Sequence, residues 1–92
     1  MLDPTRKKAR ITRVGEFCKK YREDYLRMSL TDFSIETNIN IKNLSAFERG
    51  NANSIDYLFY YYELGTELDK VVFRNNIFQL AKEWRNGYRT KQ

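Results

Sequence analysis

Residues 29–51, SLTDFSIETNINIKNLSAFERGN, contain two short segments with helical spacing of apolar residues. The segments are LTDFSIET and IKNLSAFER, and only NIN separates them. Each is about two turns long, and isolated helices shorter than about 12 residues are marginal in water. Both helices therefore form only if flanking segments hold them, so this stretch constrains the fold more than any other.

Capping residues mark the ends of both short helices. Ser29 with Asp32 three residues later is the acidic form of a capping box, and Asn40 is a favourable N-cap for the second helix. Asn38 is suited to the left-handed conformation that ends a helix, and Gly50 stands where a helix commonly stops. The predicted helices are Leu30–Thr37 and Ile41 to about Arg49.

Apolar residues at helical spacing predict three further helices around this pair. The first begins at Thr12, after a basic arm over residues 1–11 that we expect to be flexible, and it ends near Tyr25. The fourth ends at Gly65, and a fifth covers most of residues 66–92. Because no segment alternates as a strand does, the sequence predicts an all-α domain of about five helices.

The composition argues against an enzyme. The 92-residue chain has no histidine and one cysteine, Cys18, so the commonest general base and the usual zinc sites are missing. The four glycines are scattered, and no phosphate-binding loop is present. We expect no metal, no cofactor and no disulfide within the chain. No apolar run approaches the ~20 residues of a membrane span, and we expect a cytoplasmic protein.

The positive charge is unevenly distributed along the chain. The net charge is +5, and residues 1–27 carry nine Lys or Arg against four acids. A basic flank on a small domain is typical of nucleic-acid binding, although a merely solvated basic surface has the same composition. The candidate phosphate ligands in the arm are Arg6, Lys7, Lys8 and Arg10.

Residues 14–65 resemble the Cro/phage-repressor class of helix-turn-helix domains. The segments VGEFCKKYRED, MSLTDFS and NINIKNLSAFERG, and the closing Leu64-Gly65, follow the pattern of that family. The pattern positions in the third segment are Ile39, Leu44, Phe47, Glu48 and Gly50. The chain departs from the family where Leu30 replaces a glutamine at the start of the second helix and Asn38 replaces the turn glycine.

The resemblance implies a lambda-repressor-like helix-turn-helix bundle with a C-terminal helical extension. It implies a homodimeric transcriptional regulator, often a repressor from a phage or mobile element, that binds double-stranded DNA. The domain would cover residues 12–65 and the extension residues 66–92. The third helix would lie in the major groove.

The candidate DNA-binding residues lie on and next to the third helix. Lys42 is able to reach guanine O6 and N7, Asn43 to pair with adenine or a phosphate, and Ile41 to touch a thymine methyl. Two alternatives stay open, since Ile41 also fits the core beside Ile39 and Ala46 fits a plain surface position. The full set is Asn40, Ile41, Lys42, Asn43, Ser45, Ala46, Arg49 and Asn51.

Apolar residues at helical spacing in residues 66–92 predict a dimer interface, because one small domain covers only part of that surface. The alternative is that this stripe folds back onto the first and fourth helices of a monomer. The predicted interface residues are Val72, Phe73, Ile77, Leu80 and Trp84.

A second functional hypothesis is a protein-binding module on the same scaffold. The fourth helix is rich in tyrosine, and exposed tyrosines suit protein interfaces. Such a module would antagonise a repressor or a host factor. Its candidate contacts are Tyr57, Tyr60 and Tyr61.

Overall fold

Every regular element in the described part of the chain is a helix. The computed structural model describes the backbone of residues 4–51 and 56–89 and the side chains of residues 13–51 and 56–82. The all-α prediction is confirmed for these residues, and none of their helices is long and apolar enough to cross a membrane. The elements are α1 (Pro4–Tyr21) with a π-helical turn after it (Arg22–Leu26), α2 (Leu30–Thr37), α3 (Ile41–Glu48), α4 (Tyr57–Glu63) and α5 (Glu67–Arg89).

α1 begins eight residues earlier than the sequence indicates. It starts at Pro4 and not at Thr12, so residues 4–11 are helical where we expected a flexible arm. Proline is favoured in the first turn of a helix, and lysine, alanine and arginine are good helix formers. The apolar spacing that we used to find the helix is missing from this segment, although its local propensity is high.

The capping residues of α2 and α3 act as predicted. The Ser29 hydroxyl accepts a hydrogen bond from the Asp32 amide at 3.0 Å. The Asn40 side chain accepts one from the Lys42 amide at 2.8 Å. Asn38 ends α2 with a φ of 60°, so the turn between the two helices is only three residues long.

The core is a cluster of aromatic rings to which α1, α2, α3, α4 and α5 all contribute. The Phe33 and Tyr61 rings lie 4.4 Å apart, and the Tyr21 and Phe73 rings lie 4.7 Å apart. Aromatic pairs at these distances add to the free energy gained by burial. The buried apolar residues are Cys18, Tyr21, Phe33, Leu44, Phe47, Tyr61 and Phe73.

α1 crosses the carboxyl end of α3 at Gly15. A Cβ atom at this position would lie 2.5 Å from the Phe47 carbonyl oxygen and 2.6 Å from that of Glu48. Because both neighbours are backbone atoms, they are unable to move aside as a flexible side chain does. The glycine therefore permits the close approach that sets α1 against α3.

A buried ion pair fixes the same crossing just past the carboxyl end of α1. The Arg22 guanidinium donates from Nε to Glu48 Oε2 and from Nη2 to Glu48 Oε1, both at 2.9 Å. Its Nη1 donates to the Met28 carbonyl oxygen at 2.9 Å, and the Tyr61 hydroxyl donates to Glu48 Oε2 at 2.7 Å. Arg22 and Glu48 are 4% and 6% exposed, so bidentate pairing satisfies two charges that would be costly to bury alone.

The pKa values of Arg22 and of two buried groups around this pair are raised. The hydrogen bond to Glu48 raises the pKa of Arg22 above its usual value. Burial, and then the Glu48 charge, raises the pKa of the Cys18 thiol and of the Tyr61 hydroxyl. Cys18 is therefore a neutral core residue at pH 7, since a reactive cysteine requires an accessible thiolate.

Tyr21 and Tyr61 form a matched pair for testing the core. Both are fully buried, but the Tyr21 hydroxyl has no hydrogen-bond partner among the described residues, whereas that of Tyr61 donates to Glu48. Tyr61→Phe should lower the free energy of unfolding by about 1.5–3 kcal/mol, the usual contribution of a hydrogen bond to a charged group. Tyr21→Phe should raise it by up to about 1 kcal/mol, because it removes an unsatisfied polar atom. Denaturant unfolding of both variants measures the difference, and equal losses would contradict the hydrogen-bond assignment.

Candidate nucleic-acid interface

α3 has one side committed to the core and one side open to solvent. Leu44, Phe47 and Glu48 are buried, and they lie within about a third of the helix circumference. Lys42, Ser45, Ala46 and Arg49 follow at i, i+3, i+4 and i+7 and share the opposite side. All eight residues of the predicted DNA-binding set on and next to α3 are exposed or half-exposed. They are Asn40, Ile41, Lys42, Asn43, Ser45, Ala46, Arg49 and Asn51.

The structure resolves the alternative that we left open for Ile41. Its side chain is 39% exposed, whereas Ile39 in the turn is half-buried and packs against the core. Ile39 thus occupies the position in the core, and Ile41 stays partly exposed at the first residue of α3, three residues before the buried Leu44.

Two cations and no carboxylate lie on the open side of α3. Lys42 and Arg49 are exposed, and the single acid of the helix, Glu48, points into the core. The Arg49 Nε donates to the Ser45 carbonyl oxygen at 3.2 Å, which holds the guanidinium along the helix. Its Nη1 and Nη2 atoms make no hydrogen bond to any described residue, so they are able to bind an anion.

A side-chain hydrogen bond within the turn holds α2 against α3. The Ser34 hydroxyl donates to the Ile39 carbonyl oxygen at 2.5 Å, and the Thr37 hydroxyl donates to the Phe33 carbonyl at 2.7 Å. A small residue at position 34 lets the two helices cross closely. These contacts set the direction in which α3 projects its open side.

The surface of α2 differs in charge from that of α3. Asp32 and Glu36 are exposed on α2, so an anionic partner is favoured at α3 and disfavoured along α2.

At the amino end of α2, an open groove runs beside the π-helical turn. Its lining includes Arg27, which has a φ of 54°, and the half-buried Leu30.

Sequence reasoning missed the role of Arg22. We counted it only among the nine Lys or Arg of residues 1–27, but its guanidinium is buried and bonded to Glu48 and Met28. Arg22 is four residues after Cys18 and therefore continues the apolar stripe of α1. Its place on the apolar stripe was the one signal in the sequence that Arg22 would be buried. The side chains of Arg6, Lys7, Lys8 and Arg10 lie outside the described residues.

Two residues predicted to be exposed lie in the core instead. Tyr61 is fully buried with its hydroxyl bonded to Glu48, and Tyr57 is half-buried against the Phe47 ring at 5.4 Å. Tyr60 is 42% exposed and remains available to a partner, as does Phe59 at 67%. Tyr57 and Tyr61 are not exposed together with Tyr60 because they are four residues apart and share the inner side of α4.

The predicted dimer stripe lies mainly on the inner side of α5. Phe73 is 3% exposed and packs on Phe17 and Tyr21, so it is a core residue and not an interface residue. Ile77 is half-buried against the same core. Val72 and Leu80 are half-buried, and the side chain of Trp84 lies outside the described residues. Phe73 and Ile77 therefore pack onto the core of the same chain, as in the alternative that we left open for this stripe.

The geometry offers no cluster for a metal ion in the described residues, where no group of three or more carboxylates or thiols comes together. The groups that α3 presents to solvent are hydrogen-bonding side chains and two positive charges. Comparison of the chain with protein-family models, curated proteins and solved structures found no match.

Proposed function

We propose that the chain is a sequence-specific regulator of transcription that binds double-stranded DNA through α3. The observation that supports the proposal most strongly is the division of α3 into two sides. A helix whose inner side is packed by Leu44 and Phe47 and whose outer side carries Lys42, Ser45 and Arg49 is suited to the major groove.

The dimensions and the charge of α3 agree with this proposal. With its side chains an α-helix is about 10–12 Å in diameter, and the major groove is about 12 Å wide. Lys42 and Arg49 would face phosphates or guanine, and Ile41 and Ala46 would contact thymine methyl groups. Together with the resemblance of residues 14–65 to the Cro/phage-repressor class, this arrangement supports a helix-turn-helix repressor of a phage or mobile element that acts in the cytoplasm.

The basic residues at the start of α1 are expected to bind phosphates. Lys7→Gln/Lys8→Gln keeps good helix formers and removes two charges, and Lys70→Gln/Lys82→Gln on α5 is the control with the same net charge. The slope of log Kd against log salt should become shallower by about 0.9 for each lost phosphate contact. Fluorescence anisotropy with labelled duplex DNA measures both slopes. Equal slopes for the two double variants would remove the start of α1 from the interface.

If α3 reads bases, replacing Lys42 or Asn43 should reduce the discrimination between DNA sequences. Lys42→Ala and Asn43→Ala are exposed changes that should leave stability within about 0.5 kcal/mol. Each should lower discrimination between selected and random duplexes by about 1–3 kcal/mol. The selected duplex is obtained from a random pool with the wild-type protein.

Two control variants separate base reading from other losses. Lys82→Ala is the same chemical change on α5 and should leave discrimination intact. Phe47→Ala deletes a core ring and should lower the free energy of unfolding by about 3–5 kcal/mol. If neither Lys42 nor Asn43 matters while the selected duplex is still bound, α3 is not the reading helix.

A protein-binding module is the second candidate, and the exposed Phe59 and Tyr60 on α4 favour it. Large aromatic side chains in solvent are enriched at protein interfaces. In this alternative the chain antagonises a repressor or host factor, and no duplex is enriched from the random pool.

A further inference from the structure

The outer side of α4 combines two exposed aromatic rings with two carboxylates. Asp56, Phe59, Tyr60 and Glu63 follow one another at i, i+3, i+4 and i+7 and therefore share one side of the helix. Asp56 precedes the helix but already has helical backbone angles. All four side chains are exposed, Phe59 by 67% and Tyr60 by 42%, whereas Tyr61 on the opposite side is buried. These four residues form the α4 face.

The α4 face lies in the one long acidic part of a basic chain. Residues 50–69 contain the carboxylates of Asp56, Glu63, Glu67 and Asp69 and neither lysine nor arginine, although the net charge of the chain is +5. Neither Asp56 nor Glu63 makes an ion pair or a side-chain hydrogen bond with any described residue. Both carboxylates are therefore able to pair with a positively charged partner.

A neighbouring contact shows how a ring and a carboxylate together hold a cation. The Lys70 Nζ atom lies 5.5 Å from the centroid of the Tyr62 ring and 3.8 Å from Glu67 Oε1. A cation over an aromatic ring is attracted by the negative charge of the ring's π system. The α4 face has the same two kinds of group, twice each, and its own helix supplies no cation.

We propose that the α4 face binds an arginine-bearing segment of a partner protein. A guanidinium group is planar, so it stacks on Phe59 or Tyr60 and pairs with a carboxylate by two parallel hydrogen bonds. Lysine provides only a compact, strongly hydrated charge. Asp56 and Glu63 are seven residues apart, about 10 Å along the helix axis. Two arginines three residues apart in a polyproline II segment lie on one side of it, about 9 Å from each other.

Single-stranded nucleic acid also stacks on exposed rings, but the charge of the α4 face disfavours it. Proteins that bind single strands combine such rings with a positively charged groove that follows the phosphates. Here carboxylates flank Phe59 and Tyr60 on both sides along the helix, and they repel phosphates. A cationic peptide matches both the rings and the charge.

The α4 face is separate from the open side of α3. Phe47 on the inner side of α3 packs on Tyr57 and Tyr61 on the inner side of α4, with ring centroids 5.4 and 5.9 Å apart. The outer sides of the two helices therefore face away from each other, and a peptide on α4 leaves α3 accessible. Peptide binding goes beyond the proposed DNA binding, and the failure of one leaves the other in place.

A titration of the ¹⁵N-labelled full chain with four repeats of Arg-Pro-Pro tests the proposal, because such a peptide adopts polyproline II. Four repeats of Lys-Pro-Pro carry the same charge. Amide shifts should saturate at residues 56–63, and the arginine peptide should bind about two- to fivefold more tightly than the lysine peptide. Equal affinities, or no shift on α4, would overturn the proposal, as would saturable shifts of the same amides with oligo(dT).

α2 is an internal control for attraction by charge alone. Its exposed Asp32 and Glu36 lie beside the exposed side chain of Ile35 and not beside a ring. The arginine peptide should therefore shift the amides of α4 at lower concentration than those of α2. Equal midpoints for the two helices would contradict a role for the rings.

Matched charge variants test the two carboxylates. Asp56→Asn/Glu63→Gln should raise the Kd of the arginine peptide by about three- to tenfold, because it removes two exposed ion pairs. Asp24→Asn/Glu36→Gln makes the same chemical changes at exposed residues outside α4 and should leave the Kd on α4 unchanged. Equal losses in the two double variants would overturn the proposal.

The rings have a test that keeps every charge. Phe59→Leu/Tyr60→Leu should abolish the preference for arginine over lysine, because an aliphatic side chain has no π system. Circular dichroism checks that the variant stays folded, and Phe59→Leu alone, at the more exposed ring, takes its place if it does not. A preference for arginine that survives the loss of the rings would overturn the proposal.

Discussion

The buried ion pair between Arg22 and Glu48 is the interaction on which the rest of the structure depends. Its two 2.9 Å hydrogen bonds join the end of α1 to the end of α3, and the Tyr61 hydroxyl adds α4 to the same carboxylate. Removing one partner of a buried pair leaves an uncompensated charge, at a cost of about 3–5 kcal/mol. Gly15 makes the pairing feasible, because it allows α1 and α3 to approach closely. One carboxylate thus fixes the positions of three helices.

The same carboxylate influences what α3 is able to present to a partner. With Glu48 directed inward, the outer side of the helix retains only the positive charges of Lys42 and Arg49. Binding residues are most effective when rigid elements hold them in place, and a two-turn helix gains that rigidity from its neighbours alone. The core contacts and the proposed recognition of DNA are therefore two consequences of the orientation of one helix.

Local signals in the sequence predicted the parts of the fold that local chemistry controls. Ser29, Asn38 and Asn40 end or begin their helices as expected, because capping depends on neighbouring residues. The buried roles of Arg22 and Tyr61 depend on Glu48, which is 26 and 13 residues away from them. No local pattern specifies such pairs, so the sequence showed Arg22 only as part of the basic flank, and Tyr61 was assigned to an interface. Phe73 was misassigned for the same reason, since α5 has apolar residues on two sides and the sequence alone does not say which side packs inward.

The most direct test of the account is a titration of the ¹⁵N-labelled protein with a duplex selected from a random pool, followed by amide chemical shifts. The orientation of α3 predicts that the largest shifts fall on residues 40–46 and on Arg49. It also predicts that the amide shifts of Leu68 and Phe78 on α5 stay unchanged. Shifts confined to Phe59, Tyr60 and α5, with α3 unaffected, would contradict the claim that α3 is the surface that binds DNA.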